Sequence, residues 1–549
     1  MVSRALRLYH TVKFLKPVQF RSRFYYALRR KWRKAVGFQY PLALPSQARD
    51  LTLQPSIASD VSRHEDAFTF LNLSHRFENG IDWNFSDYGK LWTYNLTYFD
   101  FLHQPGMSSE EGVTLIHDFI EQAESIKDGL EPFPISLRGI NWIKFLTLHK
   151  IRDPKIDESL YAQYAILMDN LEYHLLGNHL LENGFSLLFG ACYFADETLY
   201  AKAKEILTAE LEEQILEDGA HFELSPMYHQ IMLYRVLDCL NLVIGNSSLV
   251  IGEGKSGELK ELLEEKAVKM LGWLNAISYE DGTIPLLNDS ANGIAPTTKE
   301  LNKYAQNLQI HQLPVTNHQL LDSGYRKIVK SNYECIIDIG NIGPDYIPGH
   351  AHADTFNFEL RIQSPSTINH TPSTMMPFIV DTGLSTYETN AKRMRERGTA
   401  SHNTVEVSAT DSSEVWGGFR VAERAYVTKV EESSKRIVAS HNGYRKKFGI
   451  THTREWHFAE DKIIIKDALE PKGDGIARLH FHPDITEAMI REHITILESR
   501  ITNHKSRMPR QEIPLGCTNY EYASEFNKTQ KALVMEIPFE NQLKVEIKI

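Results

Sequence analysis

The chain is 549 residues long, more than one typical hydrophobic core holds, so two large domains are expected and burial is no obstacle. A formal net charge of -11 argues against general nucleic-acid binding. The four cysteines, Cys192, Cys239, Cys335 and Cys517, lie far apart without a Cys-x-x-Cys pair, which argues against a disulfide scaffold or a thiolate zinc site and reads as free thiols.

Residues 1–64 form a basic arm and lead-in. No acid precedes Asp50, and "RFYYALRRKWRK" from Arg23 to Lys34 is basic and aromatic. This composition suits a surface arm lying on an anionic membrane or an acidic partner, and equally a solvated helix docked on its own domain. "LYHTVKFLKPVQF" is interrupted by His10, Lys13 and Lys16, so no signal peptide and no membrane span is read. The expected location is the cytoplasm or the inner membrane face, with the periplasm as the alternative. Oligomeric state is not legible.

Residues 65–318 carry a helical pattern. Segments such as 112–126, 158–176, 185–194, 197–216, 228–244 and 256–277 place apolar residues three and four apart, separated by short Gly, Asn or Asp breaks. Many helices without intervening strands predict an incomplete α/α toroid of helical hairpins with a cleft at one end. Residues 319–549 differ in texture. Short, often alternating runs rich in Val, Ile, Tyr and Phe, such as 333–340, 356–362, 452–469 and 543–549, predict an antiparallel β-sandwich. The predicted class is therefore α+β and multidomain.

In "GHAHADTFNFEL" (349–360), an extended strand would place His350, His352 and Asp354 on one face with Phe356, Phe358 and Leu360. Downstream, Asp381 in "VDTG" and His402 in "ASHNTV" could join His352 in a three-ligand zinc site, although Asp381 could equally be a turn residue capping its own backbone. "KRMRER" (392–397) reads either as a solvated loop or as a cationic rim for an anionic ligand, with Arg393 and Arg397 as its contacts. In the helical half, Asn178 reads as an N-cap, and His179 and Glu182 lie one turn apart. Ser225-Pro226 reads as a cap followed by a first-turn proline, which puts Tyr228 at the mouth of the helical array. Arg138 and Trp142 in "SLRGINW" are further candidate substrate contacts.

"GHAHADTFNFEL", "RGTASHNTV", "ENGFSLLFGACYF" and "DGAHFELSPMYHQIML" together resemble the heparinase II/III family of polysaccharide lyases. The resemblance implies a helical toroid followed by a β-sandwich, with the active site in the cleft between them. It also implies β-elimination at uronic acids of an acidic, glycosaminoglycan-like polysaccharide. Asn178, with His179, would neutralise the uronate carboxylate. Tyr228 would act as base and acid, a phenol beside cations losing its proton near neutrality, and His350 would be its partner. Glu182 matches a position acidic in some relatives. One supporting zinc would sit at His352, Asp381 and His402. The alternative function is a catalytically weak carbohydrate-binding or assembly protein of an exopolysaccharide system.

Overall fold

The structure is a computed structural model that describes residues 2–40, 48–246, 256–311, 320–363, 375–499 and 516–549. Two helices open the chain, α1 (Val2–Val12) and α2 (Pro17–Val36), and a small antiparallel sheet of β1 (Arg63–His64), β2 (Ala67–Phe70) and β3 (Leu73–Arg76) comes next.

The helical domain comprises α3 (Lys90–Tyr98), α4 (Ser109–Gln122), α5 (Pro132–Leu148), α6 (Pro154–Asp169), α7 (Gly177–Phe194), α8 (Glu197–Gln214), α9 (Pro226–Gly245), α10 (Ser256–Ile277) and α11 (Thr298–Asn307). Several begin where a short polar side chain satisfies the free amides of the first turn. Ser108, Asp153, Asp196, Ser225 and Thr297 all accept from those amides. Helix α5 packs on α6 and α7, α7 on α8 and α9, and α9 on α10, building the incomplete toroid. The helix expected over 158–176 stops at Asp169, and 171–176 forms turns that lead into α7.

Helix α5 has no counterpart in the sequence pattern. Every residue from Pro134 to Leu146 is buried, so this central helix lacks the polar face that periodicity detects.

Among the described residues, the second half contains three larger sheets and a two-stranded ribbon. One is β4 (Tyr325–Val329), β5 (Tyr333–Asp338), β6 (Phe358–Gln363) and β7 (Met375–Ile379) in sequential antiparallel order. A six-stranded sheet has β11 (Val427–Ser433), β12 (Arg436–His441), β13 (Thr451–Phe458), β14 (Lys462–Glu470), β19 (Gln542–Lys548) and β16 (Ile494–Ser499) in that order. Another places β17 (Cys517–Glu525), β18 (Lys528–Glu540), β15 (Asp474–His480) and β8 (Val405–Val407) side by side. Between β8 and β11 the chain makes a separate two-stranded ribbon of β9 (Val415–Trp416) and β10 (Arg420–Val421).

Alternating burial along β13 and β14 turns Trp456, Phe458, Ile463 and Ile465 into the sandwich core. Arg454 and Asp467 share that inward face, where Arg454 Nε donates to Asp467 at 2.7 Å.

A separate apolar cluster, including Leu224, Trp273, Leu287, Tyr325 and Ile336, joins the helical half to the first sheet. Strand β5 is consequently buried along its whole length. The expected domain boundary at 318–319 lies outside the described residues. All four cysteines are free, and three are buried.

Candidate active site

Helix α9 sets the position of Tyr228. Ser225 caps it, accepting from the Tyr228 amide at 3.2 Å, and its own hydroxyl donates to the Asp289 carbonyl at 2.7 Å. The Tyr228 ring lies against His350, with centroids 3.9 Å apart, and Tyr387 donates its hydroxyl to the Tyr228 oxygen at 3.2 Å. Burial raises the Tyr228 phenol above its ordinary pKa, and neither Tyr387 nor Arg393 offsets this. The phenol therefore keeps its proton at neutral pH. This departs from the expectation of a phenol ionised by nearby cations, because burial outweighs the pull of Arg393, which is itself paired with Asp289.

Asp289 is the hub of the site. Its carboxylate meets His350 Nδ1 at 2.8 Å and His352 Nε2 at 2.7 Å, and it accepts both terminal nitrogens of Arg393 at 2.5 and 2.6 Å. Burial alone would raise its pKa, but Arg393 and the two imidazoles hold it well below the usual carboxylate range. An ionised carboxylate only accepts hydrogen bonds, so His350 donates to it from Nδ1, which leaves Nε2 as the ring nitrogen facing away from Asp289. That Nε2 lies 3.7 Å from Glu223 Oε2.

The two histidines do not sit on a strand as the sequence suggested. Strand β6 starts only at Phe358, and 349–357 is turn and coil in which Phe356 has a positive φ of 71°. The loop lets His350 and His352 reach the same carboxylate from opposite oxygens.

Across the cleft, Asn178 is the second residue of α7 and not its cap. The cap position is Leu176, and Leu176 and Gly177 both have positive φ, 65° and 59°. A Cβ on Gly177 would meet Ile347 at 3.0 Å and Glu223 Oε1 at 3.2 Å, so the tight approach between this helix start and the loop before His350 requires glycine. The Asn178 side-chain oxygen is buried without a partner. His179 Nδ1 meets Glu172 Oε1 at 3.1 Å, and its ring packs on Phe133. Burial opposes charge on His179, yet Glu172, with Glu223 and Glu182 behind it, raises its pKa above the ordinary value. The imidazole is only partly buried, and these carboxylates favour its protonated form.

The other expected substrate contacts lie deeper. Glu182 is buried and paired with Arg235 Nε at 2.7 Å. Arg138 is fully buried, donating to Gln163 Oε1 at 2.7 Å and to the carbonyls of Thr97 and Gly129, and burial pushes it down to about 9. Trp142 is fully buried against Phe99 and Phe119. Arg393 and Arg397 do not form a solvent-facing rim. Both are fully buried, Arg393 on Asp289 and Arg397 on the carbonyls of Ala351 and Gly418. Lys392 and Arg395 are the members of that cluster that reach solvent, beside Glu521.

His402 Nδ1 meets Asp381 at 2.8 Å, and the His352 and His402 rings stand 5.3 Å apart. Among the described residues no three His, Cys, Asp or Glu are gathered as a metal site. The donor chemistry nevertheless fits zinc: His352 Nδ1, His402 Nε2 and Asp354 Oδ2 are all buried without partners, and burial pushes His352 down to about 4, keeping it neutral.

Sequence reasoning missed Asp289, Glu172 and Tyr387 and gave Glu223 no role of its own. Asp289 in "LLNDSANG" has no fixed spacing to the histidines it serves, 61 and 63 residues away. Glu223 stands out in the sequence only as part of the α9 lead-in, and nothing there pairs Tyr387 with Tyr228.

A helical toroid, an antiparallel sandwich and a Tyr–His–Asp cluster between them define the architecture of a polysaccharide lyase. Residues 146–312 match the heparinase II/III N-terminus model and residues 314–549 the heparinase II/III-like C-terminal model, and the chain belongs to this family of polysaccharide lyases. Among solved structures, it is similar to a heparinase III at 16% identity, covering 86% of this chain and 80% of that one with a TM-score of 0.59. It is also similar to a mutant of the heparan sulfate lyase HepC from Pedobacter heparinus, at 18% identity over 86% and 79% of the two chains with a TM-score of 0.53. A second heparinase III shares 15% identity over 86% and 81%, with a TM-score of 0.54. No curated protein sequence matches the chain.

Proposed function

We propose that the chain cleaves a uronate-containing acidic polysaccharide by β-elimination, with a heparan-type glycosaminoglycan or a related exopolysaccharide as substrate. The observation that carries this reading is the pairing of a carboxylate-oriented imidazole with a proton-bearing phenol, His350 against Tyr228. The names of the similar structures, heparan sulfate lyase and heparinase III, support the substrate class.

His179, whose protonated form Glu172 favours against burial, and the side-chain NH2 of Asn178, a donor, are the groups that would bind the uronate carboxylate. Neutralising that carboxylate lowers the cost of removing the C5 proton, the step that otherwise limits the reaction. His350 Nε2 takes this proton, the C5–H electrons form the C4–C5 double bond, and the C4–O bond breaks. Tyr228 donates its phenolic proton to the leaving oxygen. The imidazolium then returns a proton to the phenolate against which it is stacked, restoring both groups without consuming water. Because acid and base adjoin, they act on one side of the sugar ring, which suits a uronate whose C5–H and C4–O bonds lie on the same side.

Zinc would be held by the free nitrogens of His352 and His402 with Asp354 as the carboxylate, while Asp381, expected as a ligand, accepts from His402 Nδ1 and orients that ring. The ion would supply a fixed positive charge behind the site and hold the 349–357 loop in place. The proton transfers do not pass through it.

The test is to incubate the full chain with a panel of uronate polymers and follow the ultraviolet absorbance of the unsaturated product. Chain shortening with no new chromophore means hydrolysis and overturns the reading. Binding without any cleavage fits the non-catalytic carbohydrate-binding alternative.

A further inference from the structure

Helices α1 and α2 are mounted with their polar side inward. On α2, Tyr26 donates to the Leu171 carbonyl at 2.5 Å, Arg29 to Asp169 at 2.8 Å and Gln19 to the Leu175 carbonyl at 3.0 Å. On α1, Arg7 and His10 pair with Glu414 and Glu423 at 2.7 and 2.6 Å. The apolar side is left facing water. Phe20, Phe24, Leu28, Trp32 and Val36 recur every four residues along one stripe of α2, and Phe24 and Trp32 are 69% and 59% exposed. Leu6 and Tyr9 extend the exposed apolar surface onto α1. A helix of a soluble domain normally buries its apolar stripe, so this arrangement calls for a covering partner.

We propose that this outward face docks on an anionic lipid bilayer, with the helices lying in the membrane surface. Charge complementarity selects this occupant. Twelve Lys and Arg and no Asp or Glu precede Asp50, in a chain of net charge -11. Arg21, Lys31 and Lys34 are exposed and interleave with the aromatic stripe. Trp and Tyr rings with basic side chains among them match the headgroup layer, where the rings enter the acyl boundary and the cations reach phosphates. A second copy of the same face would oppose like charges, with no acid in the arm to pair them. No described helix is long and apolar enough to cross a membrane, so the contact is peripheral.

Placement gives the contact a role. Gln19 also reaches the Tyr346 carbonyl, and Leu175 and Tyr346 each lie four residues before a cleft residue, His179 and His350. A docked chain therefore works on its substrate at the lipid surface.

The experiment is cosedimentation of the full chain with vesicles of phosphatidylglycerol and phosphatidylcholine, and with phosphatidylcholine alone. Binding is expected to the anionic vesicles, and Phe24→Ser with Trp32→Ser should reduce partitioning about tenfold or more at an unchanged melting temperature. A second variant, Arg21→Gln with Lys31→Gln and Lys34→Gln, should also weaken it about tenfold or more. A wild-type chain that stays in the supernatant overturns the proposal. So does wild-type-like binding by the serine variant, which makes the arm a general polyanion-binding patch. Self-association lost in the serine variant, without vesicle binding, assigns the face to a second copy and also overturns it.

Discussion

The ring of Tyr228 lies face to face with that of His350, centroids 3.9 Å apart and planes inclined by 31°. The two come from different halves of the chain, one from the first turn of α9 and the other from the loop before β6, and their contact brings acid and base together.

Removing only the phenolic oxygen should stop the reaction and spare the fold. Tyr228→Phe keeps the ring on His350 and is expected to lower the elimination rate by about two to four orders of magnitude. The melting temperature should remain close to wild type. Turnover within a few-fold of wild type would take Tyr228 out of the proton transfer.

Asp289→Asn tests the hub. The substitution leaves Arg393 buried without its counter-charge, a change that costs about 3–5 kcal/mol when a buried pair is broken. It also removes the acceptor that fixes the His350 proton on Nδ1. Both the urea midpoint and kcat should fall, and a loss of kcat at full stability would show that the carboxylate acts on His350 alone.

His179 carries its charge below its pKa, which Glu172 raises. The charge, and with it carboxylate neutralisation, is lost as pH rises through that raised value, so kcat/KM should decline on the alkaline side. Glu172→Gln should move this decline to lower pH. An unchanged profile in the variant separates His179 from substrate charge.

The sandwich has its own acid limit. Burial would raise Asp467, but Arg454 and His452 outweigh it and hold the group at about 2 against an ordinary 3.8. A depressed carboxylate stabilises the fold above its unfolded pKa, and the contribution disappears as pH falls through the folded value. The contribution is about 2 kcal/mol, present in full above roughly pH 5 and lost toward pH 2. Urea midpoints measured from pH 6 to pH 2 should decline in the wild type over this window and less steeply in Asp467→Asn.

Elemental analysis checks the metal. About one zinc per chain is expected, and His402→Ala should lower both the zinc content and the melting temperature. Metal-free protein of full stability would remove zinc from the site and leave the proton transfers untouched.

The broad architecture was legible because most of its elements are amphipathic. Helix α10 ends at Ile277, where its apolar spacing stops, and β13 and β14 alternate as their sequences do. Helix α5 was hidden because burial on all sides erases periodicity. Ser225, Pro226 and Tyr228 could be read locally, since a cap and a proline fix a first turn within four residues. Asp289 could not, because its role depends on folding across some sixty residues of chain to meet His350 and His352. Arg393 and Arg397 misled for a related reason: a run of charges in sequence says nothing of which members turn inward, and these two satisfy a buried carboxylate and buried carbonyls.

Ser225 holds the carbonyl of Asp289 while that residue's carboxylate holds His350. Asp289 precedes α11 and so belongs by sequence to the helical half, whereas His350 belongs to the sandwich half. Expressed apart, the helical piece would own the acid and the orienting carboxylate with no imidazole to orient, and the sandwich piece an imidazole free to take either tautomer. Mixing the two pieces could restore activity only by rebuilding their interface, which makes recovered turnover a direct gauge of reassembly.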